Sequence, residues 1–139
     1  MKVFVTGGAG YLGGEVIKRL QLSSLVDSLV VFDNFSRQNL GFLVNRDVRG
    51  SGGIEVVRGD ILDHRALTRG MAGCDVVIHL AGVTQSSNHA YNAHVFDQLN
   101  HWGTANVVRV ANELSPKLFV YSSSTARIWC RNRQRNARE

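Results

Sequence analysis

The apolar positions of this chain fall into short continuous runs separated by stretches of helical period, a pattern that predicts strands and helices in alternation. Val3, Phe4 and Val5 form the first run, which passes through a glycine cluster into a helix over Tyr11 to Leu22. Leu12, Val16, Ile17 and Leu20 make one stripe of that helix, and Glu15, Lys18 and Arg19 take its wet side. Leu29 to Phe32 is a second run, closed by Asp33; uninterrupted apolar runs of this kind suit parallel strands covered on both faces. A short helix over Leu40 to Val44 and a loop through Gly50, Gly52 and Gly53 precede a third strand, Ile54 to Arg58. Asp63 is placed to cap a helix through Ala66 and Leu67 to Gly70, and Asp75 to Leu80 is the fourth strand. The longest helical pattern runs from Ala90 to Leu114. Val95, Leu99, Trp102, Asn106 and Val110 lie on one side of it, widened by Phe96, Val107 and Leu114. Pro116 stops that helix, and Lys117 to Tyr121 is the fifth strand.

This alternation predicts an α/β fold, a doubly wound parallel sheet with right-handed crossovers and strand order 3-2-1-4-5. Ligand is expected at the carboxyl ends of the strands, where the order reverses between the first and the fourth. The fifth strand leaves an edge free to associate.

Length and composition narrow the class. The chain's 139 residues suit one domain with a real core. No apolar run approaches the roughly 20 residues that span a bilayer, and no leader precedes the first strand, so the cytoplasm is the expected location. Cys74 and Cys130 lack metal-ligand spacing and are too few for a disulfide framework. The net charge of +5 suggests nucleic acid only until its distribution is seen. Arg127, Arg131, Arg133, Arg135 and Arg138 stand against Glu139 alone in the last stretch, leaving residues 1–126 nearly neutral. We therefore expect a domain over 1–126 and a basic, disordered tail over 127–139 that binds no nucleic acid, having little aromatic interleaving beyond Trp129.

The chemistry concentrates where the first strand meets its helix. Gly8, Gly10 and Gly13 read as GxGxxG, and Gly7, Gly10 and Gly13 as GxxGxxG preceded by Thr6. Glycines let the chain turn tightly and let phosphates approach bare backbone, and the helix N-terminus offers free N–H groups at its positive end. Asp33 closes the second strand about 20 residues beyond Gly13, where a carboxylate accepts hydrogen bonds from adenosine ribose hydroxyls and repels a 2′-phosphate. That favours NAD over NADP. Arg37 points the other way, as a residue able to accommodate the phosphate, and a strand-end turn is the alternative role for Asp33.

Taken together, TGGAGYLGG at 6–14, the pair Asp33–Asn34, GDILD at 59–63, HLAG at 79–82, NHWGTANV at 100–107 and YSSSTA at 121–126 resemble the extended short-chain dehydrogenases/reductases. The resemblance is closest to the NAD-dependent nucleotide-sugar epimerases and dehydratases and covers residues 1–126. It implies that Gly7, Gly10, Tyr11, Leu12 and Gly13 line the pyrophosphate turn, that Asp33 and Asn34 hold the adenosine ribose, and that Asp60 and Ile61 meet the adenine. It also implies that Leu80, Ala81 and Gly82 run beside the cofactor, with Asn100 near the active site. Ser124 matches the hydroxyl that bonds the substrate oxygen in that family; it cannot serve alone as the strong acid/base. The implied substrate is a nucleotide sugar, and the implied partner is a second copy of the chain through the helix over 90–114.

The family's acid/base is a tyrosine paired with a lysine as YxxxK, about two dozen residues beyond the serines, the lysine lowering the tyrosine's pKa. No tyrosine follows Tyr121 here and no lysine follows Lys117. The sequence therefore reads as a cofactor-binding portion, truncated after the fifth strand, without turnover of its own. Where the family continues VYG, this chain has Arg127, Ile128 and Trp129. Codons for Arg-Ile-Trp-Cys read one base later give Val-Tyr-Gly, so a single-base shift after Ala126 is expected to have produced the tail.

Other chemistries fit poorly. His64, His79, His89, His94 and His101 have the wrong intervals for a set of metal ligands, and no metal is expected. His79 reads as a satisfied core histidine and Cys74 as packing, while the serines at 122–124 lack the glycines of a nucleophile elbow. Trp102 reads as core or as a subunit contact.

Overall fold

The computed structural model describes residues 1–37, 53–83 and 93–123. The expected helix over Leu40 to Val44, the loop through Gly50 and Gly52, Ser124 and the tail over 127–139 lie outside the described residues.

Five strands make one sheet: β1 (Lys2–Thr6), β2 (Ser28–Asp33), β3 (Gly53–Arg58), β4 (Val76–His79) and β5 (Leu118–Tyr121). All neighbours pair in parallel, in the order β3-β2-β1-β4-β5 expected from the sequence. The central strands are buried along nearly their whole length, as continuous apolar runs require, and the outer strands β3 and β5 are far more exposed.

Helix α1 (Tyr11–Gln21) covers one face of the sheet, where Ile17 packs with Val3, Val5, Leu29 and Val31. Its stripe is rotated from the expected one. Gly13 and Ile17 are buried, and Leu12 is 51% exposed. Helix α2 (His64–Met71) starts at Asp63, whose carboxylate accepts the Ala66 N–H at 3.0 Å as a cap. Leu67 and Met71 then join Phe4, Phe32 and Val77 in the core of the opposite face.

The long helix, α3, begins at Ala93–Phe96, widens into π-helical turns over Asp97–Gly103 and returns to α geometry over Thr104–Leu114. Val107, Val110 and Ala111 pack into the core as their spacing predicts. Trp102 does not. It is 60% exposed and stacks on His101, because the wider turns move it off the 3.6-residue stripe. Gly103 takes the buried place instead; a Cβ there would lie 2.4 Å from Ile61 Cδ1, so any larger residue would require the Ile61 side chain to shift. Ser115 ends the helix in the left-handed region at φ 53°, one residue before Pro116. Among the described residues no helix is long and apolar enough to cross a membrane.

Candidate functional site

The order reverses between β1 and β4, the switch point at whose carboxyl ends sheets of this kind form a crevice. Its floor is the turn that leaves β1. Gly7 sits at φ +71°, and a Cβ there would stand 2.5 Å from Ala81 N, so the β1 turn and the chain leaving β4 touch backbone to backbone. A Cβ on Gly13 would stand 2.2 Å from Gly7 O, which locks the start of α1 against the turn.

Gly10 caps α1 in extended geometry with no side chain over the helix end, and the first turn carries no acidic residue. The N–H groups of Tyr11, Leu12 and Gly13 have no partner one turn back, as in any α-helix start. The Asp33 carboxylate takes the Ala9 N–H just before the cap but none of these three, and Tyr11 is 86% exposed beside them. The turn therefore fits a diphosphate: bare backbone, unspent donors and no side chain in the way.

Asp33 ends β2 next to this turn. Its Oδ2 accepts the Ala9 N–H at 2.9 Å and its Oδ1 the Phe35 N–H at 2.8 Å, so both oxygens are already fixed in direction. Each keeps a second lone pair, the capacity a vicinal diol requires. The structure thus joins the two roles weighed for Asp33: it is a strand-end turn residue and a charged acceptor oriented beside the glycines. Asn34 is exposed and its Oδ1 accepts the Ser36 N–H at 3.0 Å; Arg37 is exposed too.

Asp60 and Ile61 follow β3, farther along the same rim. Asp60 Oδ1 accepts the Leu62 N–H at 2.9 Å. Ile61 is buried, its side chain against Gly103 and its carbonyl accepting from Asn106 Nδ2 at 2.7 Å. Only its backbone is available to a base.

The far wall is Leu80, Ala81, Gly82 and Val83. Leu80 N–H donates to Thr6 O at 3.1 Å, continuing the β1–β4 ladder one residue past the strand. Asn100 on α3 grips Val83 with both ends of its amide, Oδ1 accepting the Val83 N–H at 2.8 Å and Nδ2 donating to the Val83 carbonyl at 2.9 Å. A Cβ on Gly82 would approach Asn100 Oδ1 to 3.1 Å. The structure therefore gives Asn100 the work of holding the wall.

Beneath this wall lies a feature that the sequence did not reveal. Thr6 Oγ1 is 2.6 Å from His79 Nδ1, and His79 Nε2 is 2.9 Å from Thr104 Oγ1. Thr6 and His79 are fully buried, and burial pushes the His79 imidazole down to about 4 from an ordinary 6.5. The ring is a satisfied core histidine, stacked on Tyr121 with centroids 5.5 Å apart. Its partners were legible only through strand register, which sets Thr6 beside His79.

The glycine turn, Asp33, the rim at Asp60 and the wall at Leu80–Val83 thus all follow the carboxyl ends of strands in one sheet; Ser124 lies outside the described residues. A sequence model of the 3-beta hydroxysteroid dehydrogenase/isomerase family matches residues 4–137. The chain is 31% identical over 121 residues to human 3 beta-hydroxysteroid dehydrogenase type 7, covering 86% of this chain and 31% of that protein. It is 31% identical over 135 residues to CDP-paratose 2-epimerase of Salmonella typhi, covering 93% and 38%. Among solved structures, DesIV, a dTDP-glucose 4,6-dehydratase from Streptomyces venezuelae with NAD and TYD bound, superposes with a TM-score of 0.71 at 28% identity. That match covers 86% of this chain and 38% of DesIV. The chain spans about a third of the length of the curated relatives it matches.

Proposed function

The chain belongs to the 3-beta hydroxysteroid dehydrogenase/isomerase family, and from that premise we propose that it is the NAD-binding portion of an NAD-dependent nucleotide-sugar epimerase or dehydratase. The observation that carries the reading is the Asp33 carboxylate, fixed by the Ala9 and Phe35 N–H groups beside an uncapped, acid-free helix start. NAD, when bound, supplies the hydride acceptor and donor for a sugar carbon.

The chain's own residues bind and orient. Gly7, Gly10, Tyr11, Leu12 and Gly13 would hold the diphosphate, and Asp33 with Asn34 the adenosine ribose, Asp33 repelling a 2′-phosphate so that NAD is taken over NADP. Asp60 and the Ile61 backbone would meet the adenine edge, and Leu80, Ala81 and Gly82, held by Asn100, would flank the remaining half. Ser124 would donate its hydroxyl to the substrate oxygen. Ser124 alone cannot act as the strong acid/base, so these residues are read as binding and orienting without turnover of their own. Residues 1–126 form the binding domain in this reading. The long helix pairs two copies, its exposed Trp102 at the contact, and the free Cys74 suits the cytoplasm.

The family match and the human relative favour a second reading, a dehydrogenase of a steroid or other small alcohol, with the same cofactor and crevice. Calorimetric titration with NAD tests what the two share. Measurable binding without epimerase or dehydrogenase turnover is expected; no binding by a folded sample refutes both, and turnover by pure protein refutes the assignment as a binding portion.

A further inference from the structure

The buried polar chain under the crevice wall joins β1, β4 and α3. Thr6 Oγ1 accepts the Ala81 N–H at 3.3 Å as well as meeting His79 Nδ1. Proton counting then fixes the direction of the chain. Thr6 has one proton to donate and gives it to Nδ1, which leaves the imidazole N–H on Nε2, directed at Thr104 Oγ1. The opposite tautomer would strand the Thr6 proton in the core without an acceptor, a cost that burial makes large.

The same helix anchors the wall a second time. Asn100 holds Val83 and Thr104 holds His79, one residue of each pair at either end of the wall. Asn100 lies within the π-helical turns Asp97–Gly103 and Thr104 directly follows them, four residues on, so one side of the helix presents both side chains to β4 and the chain leaving it. Leu80–Val83 is thereby tied down at both ends, facing Gly7 at backbone contact distance.

We propose that Thr6, His79 and Thr104 are positioning residues that set the β4 wall of the crevice and so tune affinity for the nicotinamide half of the dinucleotide, leaving the adenosine half untouched. The inference rests on the NAD reading. It follows from direction: Asp33 lies on the β2 side of the glycine turn and Leu80–Val83 on the β4 side. A dinucleotide whose adenosine ribose meets Asp33 and whose diphosphate crosses the turn runs on over β4.

The test compares NAD⁺ with ADP, which lacks the nicotinamide half, by calorimetry on the full chain. Thr104→Val removes the hydroxyl, leaving the His79 Nε2–H without its acceptor, and Thr104→Ser restores it. The valine variant is expected to bind NAD⁺ roughly fivefold more weakly, the worth of about one buried hydrogen bond, with ADP affinity unchanged and the serine variant recovered. Equal weakening for both ligands, or no weakening for NAD⁺, overturns the proposal. A wild-type chain that binds neither ligand refutes the NAD reading itself and needs no variant to show it. Should the valine variant not fold, ¹⁵N shifts of His79 in the wild-type chain decide: a proton on Nε2 is expected, and a proton on Nδ1 overturns the proposal.

Discussion

Acidification below pH 6.5 should destabilise this protein through His79. The imidazole is fully buried with both nitrogens committed, and its pKa is pushed from 6.5 to about 4 by desolvation. Above pH 6.5 the ring is neutral in the folded and the unfolded chain, and its contribution to stability is fully present. Between 6.5 and 4 only the unfolded chain takes up the proton, so stability falls with pH; below 4 both forms are protonated and the loss is complete. The separation amounts to about 3 kcal/mol, of which about 2 kcal/mol is gone by pH 5. Urea midpoints measured from pH 7 down to pH 4 read this out, with His79→Gln as the reference that cannot titrate. The wild-type midpoint should fall steeply over that window and the glutamine variant's only slightly. Parallel pH profiles for the two proteins, or an NMR titration of His79 near 6.5, would refute the reasoning.

Three further outcomes follow from the same geometry. Gly13→Ala drives a methyl group into the Gly7 carbonyl at 2.2 Å, and should cost about 1–3 kcal/mol in a urea titration and abolish NAD binding measured by calorimetry. Asp33→Asn leaves one acceptor oxygen for the Ala9 and Phe35 N–H groups, so one of them loses its partner; about 1–2 kcal/mol of stability and most NAD affinity should go with it. A chain ending at Ala126 should keep the wild-type urea midpoint and NAD affinity if residues 1–126 form the binding domain proposed above, and a lowered midpoint or lost binding would contradict that division.

Legibility in the sequence tracked how local the determining physics is. β2 was plain because Leu29 to Phe32 is apolar without a break, and the Asp63 cap because its geometry spans three residues. The strand order came from the alternation with the glycine turn, since right-handed crossovers leave few ways to arrange it. The pattern misled at Leu12, and at Trp102 it left core and subunit contact open where the exposed ring removes the first. A constant 3.6-residue period assumes uniform helix, and the wide turns over Asp97–Gly103 break that assumption. Leu12 failed for a different reason: in the first turn it is the neighbouring Gly13, packed on the backbone of Gly7 and Gly8, that faces inward. Gly103, mid-helix, was the available signal for the close approach of Ile61. His79 was legible as a satisfied core histidine, but its Thr6 and Thr104 partners were not, because the three meet only after register and crossover bring distant segments together.

The claim beneath all of this is that a nicotinamide dinucleotide lies on bare backbone between β1 and β4. Amide shifts of the ¹⁵N-labelled chain titrated with NAD⁺ test it most directly. The account predicts saturable changes concentrated at Gly7 to Gly13, Asp33 and Leu80 to Val83. Changes gathered elsewhere on the fold, or a spectrum indifferent to the ligand, would contradict it.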